Sequence, residues 1–339
     1  MPDAVTHLAW SLEGSSLAAG CLTGEVLILR YDGAVKHRLC AGSQAVSSLA
    51  WSSDGYWLGT GSRDGTLTML GPGGIVERLE LGCWIQSAAW APDRSILAAA
   101  AGNNVYVLDT GGHRLAGYLL HPGRVNHLCW DPTSSDLLAA TVGGIRFYDV
   151  ALASTDPVGL APSSGTILTI APSPQADLVA AGRSNGSVIV WRTEGGGATV
   201  LTGSKGGVSL LSWSADGDRL AVAAFDELTV WRCVHRDFDT EGRINLPVPP
   251  GAPGSIAYHP SLPILAWGGE QGRIGLWAPA LSTEQLAGYR LTGDVTALCW
   301  HPNGRALAAA TSVGEIEMLE VAENPLNLGL TGAKRLSGH

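Results

Sequence analysis

Apolar and polar positions along this chain recur with a period near forty residues. The unit opens with a β-branched residue, two variable residues, an apolar one, a small one and an aromatic one, as in Val5-Thr-His-Leu8-Ala-Trp10. The sixth position returns as Trp10, Trp51, Trp90, Trp130, Pro172, Trp213, Tyr258 and Trp300, at intervals of 41, 39, 40, 42, 41, 45 and 42 residues. Seven places further on lie Leu17, Leu58, Leu97, Leu137, Val179, Leu220, Leu265 and Leu307, all aliphatic. Ten places on, every residue is Gly or Ala: Gly20, Gly61, Ala100, Ala140, Gly182, Ala223, Gly268 and Ala310. Fourteen places on stand six glycines together with Asn104 and Glu227, and Asn is the residue that best substitutes for Gly at positive φ. Agreement of independent columns secures copies five and seven, which lack the Trp.

Each copy reads as four short strands. Val-x-x-Leu-x-Trp alternates, as a half-buried strand does. Turns such as Asp54-Gly55, Asp216-Gly217 and Asn303-Gly304 follow it, and these dipeptides between apolar runs signal hairpins. A second strand of small and apolar residues (Leu17-Ala-Ala-Gly20) suits tight packing on both faces. A third strand, such as Ser187-Val-Ile-Val-Trp191, follows the Gly column, and a variable fourth, such as Val35-Lys-His-Arg-Leu39, ends the unit. The last fourth strand is expected within Leu328 to Leu336. One four-stranded sheet cannot bury both of its faces, so the copies must stack. The fold class is all-β, with residues 1–339 forming one domain.

Segments such as Val46-Ser-Ser-Leu-Ala-Trp-Ser-Ser-Asp-Gly55, then Leu58-Gly-Thr-Gly-Ser-Arg-Asp-Gly-Thr-Leu67, resemble the WD-repeat β-propeller family, and the likeness runs over residues 5 to 321. Ser187-Val-Ile-Val-Trp191-Arg and Phe147-Tyr-Asp149 look like the family's third-strand ending. The resemblance implies four-stranded antiparallel blades around a channel, with the Val-x-x-Leu-x-Trp strand innermost. Eight copies imply eight blades; seven, the commoner number in the family, is the alternative and would leave one copy outside the ring. The family's Gly-His is nearly absent, His121 before Val125 being the closest case, and Trp-Asp does not occur as such. The buried Asp–His–Ser/Thr–Trp network is therefore expected to be missing from most blades, leaving more of the stability to apolar packing.

Composition fits this reading. Charged residues make up 15% of the chain and apolar ones 45%, as in a packed globular protein. The net charge of −9 carries no basic stripe, which argues against nucleic acid as a partner. Met1 to Trp10 has no signal-peptide pattern, and no window approaches the ~18 apolar residues of a membrane span. A cytoplasmic location without membrane insertion is expected. Cys21, Cys40, Cys83, Cys129, Cys233 and Cys299 form no CxxC pair and read as reduced thiols.

Catalytic motifs are lacking: there is no P-loop, HExxH or Gly-x-Ser-x-Gly. His7 and His127 share one inner-strand position and read as partly exposed channel residues, not as a metal or catalytic pair. Asp237-Phe-Asp239-Thr-Glu241-Gly242 imitates the first half of a calcium loop, but Val248 stands where the bidentate Glu belongs, so a solvated acidic loop is expected. No cofactor or metal is implied. Turns on one rim carry Arg63, Trp84, Arg124, Arg183, Lys205, Phe225 and Glu270. An exposed Trp beside Arg is the composition of an interface hot spot, although Trp84 could equally plug the channel mouth or pack between blades. Tyr56 and Trp57 pose the same alternative on the opposite rim. The expectation is a non-enzymatic scaffold that docks other proteins on its rims and is monomeric by itself. The alternatives are an enzyme or small-ligand binder with a site at the channel mouth, and a permanent subunit of a larger complex.

Overall fold

The computed structural model describes residues 3–110, 119–133, 136–150, 156–193, 197–225, 227–248, 251, 253–282, 284–321 and 330–335. Among them are thirty β-strands, paired antiparallel, and no α-helix. Copy two illustrates the unit: Val46–Trp51, Leu58–Ser62, Thr66–Gly71 and Gly74–Glu80 pair in that order. The second and third strands are buried almost throughout, whereas the fourth alternates with solvent. All eight aliphatic residues of the Leu17 column have 0% exposure, so that column marks the centre of each sheet. The final fourth strand is Leu330–Arg335, inside the expected segment.

The strands form seven hydrogen-bonded sheets: six of four strands and one of six. The expectation of eight separate blades therefore meets seven sheets, and the reason is local. Copies four and five share the six-stranded sheet because two of its strands are fused. Leu137–Tyr148 runs through the turn between the second and third strands of copy four, and Gly159–Pro172 serves both as the last strand of copy four and as the first of copy five. Val142 pairs with Thr166 and Ile145 with Ala161, so one continuous strand bridges two repeats.

Hydrophobic clusters lie between neighbouring copies. Leu67 and Met69 of copy two, for example, pack with Ile85, Trp90 and Leu97 of copy three. The Gly column explains how closely the sheets approach. A Cβ on Gly20, Gly61 or Gly182 would lie 2.5, 2.5 and 2.6 Å from the β-branched residue that opens the next copy (Val46, Ile85 and Val208). Small residues and β-branched residues are thus two halves of one contact.

Side chains stitch the inner strands together. Trp51, Trp130, Trp213 and Trp300 each donate the indole N–H to the carbonyl of Ala9, Ala89, Ala171 and Ala257 in the preceding copy, at 2.9–3.0 Å. The second inner-strand position is skipped by the register in copies two and eight, a β-bulge that frees its side chain to turn sideways. Ser47 there donates to Gly61 and to Ile85 of the next copy, and Thr296 donates to Ala310 and to Val5. Thr6 makes the same pair of bonds to Gly20 and Val46, so one kind of side-chain bond recurs at this position. At the third position Ser48, Ser87 and Ser255 accept the N–H of Ala88, Leu128 and Leu298.

His127 occupies that third position, and its Nδ1 accepts the N–H of Ile170 at 3.3 Å. Burial lowers its pKa to about 4, so the ring is neutral. Burial likewise lowers the pKa of His7, with the Arg63 charge adding to the effect. Both histidines are half-buried, as a partly exposed position requires, and His127 joins neighbouring strands. Of the family's polar network, copy four keeps a fragment: the Tyr148 hydroxyl and His121 Nε2 lie 3.3 Å apart. His121 is held neutral by burial and by Arg146, with a pKa of about 4.

Two turn assignments change. Asn104 and Glu227 do not adopt positive φ; in their turns Gly102 (φ 63°) and Phe225 (φ 48°), two residues earlier, take that conformation. The acidic run at Asp237 opens the strand Asp237–Leu246 and is not a loop. Arg192 pairs with Asp237 and the backbone of Asp239 is registered against Arg232, so the run is absorbed into a hairpin. No metal-binding cluster occurs among the described residues.

The chain divides into two compact units, residues 6–170 and residues 1–5 with 171–338. Each is a run of such sheets with the same joints between copies.

Candidate functional site

Antiparallel order places two kinds of turn at the same end of each sheet: those between second and third strands, and those leading into the next inner strand. In the unit of residues 6–170 this brings together side chains from three successive copies. Arg63 follows the second strand of copy two, and its N–H is fixed by the carbonyl of Ala45. Trp84 precedes Ile85, the residue seated against Gly61. Arg124 precedes Val125, whose N–H donates to Gly102. The Arg63 and Arg124 guanidinium carbons lie 5.2 and 5.5 Å from the Trp84 ring centroid. Trp84 is 38% exposed, so it neither plugs a closed space nor packs as core. Both arginines are exposed.

The charge of the cluster is not cancelled locally. Among the described residues neither guanidinium forms an ion pair with a carboxylate. Asp64, next to Arg63 in sequence, is committed elsewhere, accepting the Ser43 N–H and hydroxyl and the Thr66 N–H. Burial alone would raise its pKa, but those hydrogen bonds outweigh it and hold the carboxyl well below its usual range. Arginine over an indole is attracted by the ring's quadrupole and keeps its in-plane donors for another ligand.

The other four residues singled out on this rim are not drawn together. Arg183 is buried and donates from Nε to Ser187 Oγ at 2.6 Å, closing its own turn. The Lys205 N–H donates to Glu227 Oε2. Phe225 is 67% exposed and packs against Gly206. Glu270 lies in a short 3-10 turn, over Gly251. At the other end of the sheets Tyr56 is exposed, while Trp57 leans on Gly71. A cavity of about 210 Å³ there is lined by Tyr56, Trp51, Lys36, His37 and Glu13.

Leu22 and Val142 were legible but not singled out. They are exposed and stand twelve residues after their aromatic anchors, the column that also holds Arg63, Phe225 and Glu270. Reading down that column would have found them.

Comparison with known proteins agrees with this architecture. The model of the WD domain, G-beta repeat, matches residues 33–69 and 158–192, and that of the anaphase-promoting complex subunit 4 WD40 domain matches residues 256–326. Ribosome biogenesis protein erb1 of Schizosaccharomyces pombe is 30% identical over 133 residues, which cover 35% of this chain and 18% of that protein. Among solved structures, Sqt1 of Chaetomium thermophilum bound to the N-terminus of the ribosomal protein L10 superposes with a TM-score of 0.78 at 16% identity, covering 94% of this chain and 97% of that one. The computationally designed Ika8 protein gives 0.77 at 18% identity, with the same coverages. At these identities the structures speak for the fold alone. The repeat columns, the four-stranded antiparallel sheets and the matched models agree in likening this chain to the WD-repeat β-propeller family.

Proposed function

We propose that this chain is a non-catalytic scaffold that holds partner proteins, and that they dock on the rim carrying Arg63, Trp84 and Arg124. The convergence on one exposed indole of two guanidiniums that form no ion pair among the described residues carries this reading. Trp and Arg dominate the binding energy of protein interfaces because they combine large contact area with directional donors. Rigid sheets beneath the turns hold the three side chains in place before a partner arrives, which lowers the entropic cost of association. Sqt1, which shares this fold, is seen bound to the N-terminus of the ribosomal protein L10, so the fold is compatible with such a role.

Affinity capture from a lysate of the source organism tests it. Wild-type protein should retain specific partners that the Trp84→Ala, Arg124→Ala double variant loses while keeping the same melting temperature. Identical capture by both forms, or a purified protein that turns over or binds only a small molecule, would sink the proposal.

A further inference from the structure

We propose that the segment received by this rim is acidic: an extended stretch of a partner protein whose carboxylates reach Arg63 and Arg124 while an apolar side chain lies on Trp84. This deepens the docking reading and rests on it. Three observations carry it.

The first is charge. The chain as a whole is acidic, at −9, yet here two guanidiniums face one ring with no carboxylate paired to either among the described residues. Asp64, next to Arg63 in sequence, is turned to Ser43 and Thr66. The patch is therefore a positive spot on a negative protein, the complement of a local cluster of Asp or Glu.

The second is donor geometry. Guanidinium is a planar fork that binds carboxylate through two parallel N–H bonds, and the indole beside each guanidinium, 5.2 and 5.5 Å from its carbon, offers no ring acceptor to occupy that fork. The third is the apolar floor. Trp84 remains 38% exposed between the arginines, and Val142, 52% exposed, lies beside Gly123, next in sequence to Arg124. A purely ionic ligand would leave that surface wet; a peptide with an aromatic or aliphatic residue between acids covers it. A nucleic acid fits less well, because its affinity grows with the number of phosphates neutralised along a basic track, and two guanidiniums on an acidic protein are not such a track.

Fluorescence anisotropy with a fluorescein-labelled twelve-residue peptide, Glu alternating with Gly around a central Phe, tests the proposal. A peptide with Gln in place of every Glu is the comparison. The Glu peptide should bind the intact chain about tenfold more tightly than the Gln peptide, as expected for charge-assisted hydrogen bonds. Its affinity should fall as salt rises from about 50 to about 300 mM. Arg63→Gln with Arg124→Gln should weaken it about tenfold or more. Arg232→Gln, an exposed arginine of the other unit, should change nothing. Both arginines of the rim are exposed, so the double variant should melt with the wild type. The paired exchange Arg63→Lys with Arg124→Lys should fall between the two, by keeping charge without the fork. Equal binding of the Gln peptide, unchanged binding by the double Gln variant, no binding of either peptide, or binding only of a twelve-nucleotide oligothymidylate overturns the acidic assignment. Docking itself is judged separately: if lysate partners are still lost from the Trp84→Ala, Arg124→Ala variant, the rim is a docking face and only the partner chemistry is wrong.

Discussion

In residues 6–170 the Trp130 indole donates to Ala89, and in the other unit the Trp213 indole donates to Ala171, at 2.9 and 3.0 Å. Gly61 seats Ile85 in the first as Gly182 seats Val208 in the second. Ser87 accepts from Leu128 in one, and Ser255 from Leu298 in the other. The joints match; the rims do not. One unit gathers Arg63, Trp84 and Arg124 around a shared indole, whereas in the other Arg183 closes its own turn, the Lys205 N–H donates to Glu227, Phe225 packs against Gly206 and Glu270 lies over Gly251. A repeat architecture thus separates the residues that hold copies together from those that face outward, and the second set is free to differ.

Paired substitutions can break or sharpen that comparison. The largest effect is expected from Gly61→Val and Gly182→Val, where a new side chain must displace the next copy's β-branched residue. Each should cost about 3 kcal/mol, read from urea or thermal unfolding. A loss confined to one unit would show that the joints are not equivalent.

Acidification should distinguish the units next. Neutral His127 joins strands in residues 6–170, where the other unit uses Ser255, which does not titrate. The folded pKa of about 4 lies below the ordinary 6.5, so between those values the unfolded chain takes up a proton that the fold excludes. Stability is then full above pH about 6.5 and falls as pH drops toward about 4, by about 3 kcal/mol for this group. His121 adds to the same window. His127→Asn should flatten the pH dependence of the melting temperature.

Removing a single indole hydrogen bond should matter less. Trp130→Phe and Trp213→Phe should each lose about 1 kcal/mol beyond the effect of the smaller ring. Trp90→Phe should lose less, because its Nε1 has no partner among the described residues. Calorimetry of the three variants gives the ranking, and equal losses would deny the indole bond its role. The smallest effect has the opposite sign. Phe225 holds φ 48°, a left-handed conformation that glycine adopts without strain, so Phe225→Gly should raise stability by about 0.5 kcal/mol or more. It should leave the partners captured through Trp84 unchanged.

Much of this was legible because each column recurs from copy to copy. Leu17 and its equivalents are fully buried in every copy, and the Gly column meets the β-branched opening in the same way at Gly20, Gly61 and Gly182, so the repetition exposes the packing reason. What escaped depends on single copies or on the main chain. The fusion of copies four and five arises where Val142 pairs with Thr166, a register that no side-chain pattern announces. The indole acceptors are carbonyls, so Ala9 or Ala171 leaves no polar signature. The run at Asp237 imitated a calcium loop because acidic residues alternate in it, and alternation is equally the pattern of a strand. On the rim, Arg63 and Trp84 belong to different columns, 21 positions apart, and only the stagger between neighbouring sheets makes them touch.

The main-chain acceptors also bear on how such a chain can change over generations. A carbonyl is supplied by any amino acid, so half of each Trp joint survives whatever residue mutation installs there, provided the backbone keeps its course. Copies can then drift apart in sequence while staying fastened, as copies five and seven have done with Pro172 and Tyr258 in the Trp column, each still offering the preceding carbonyl to its neighbour's indole. Tolerance of that kind gives individual turns room to acquire new ligands one copy at a time.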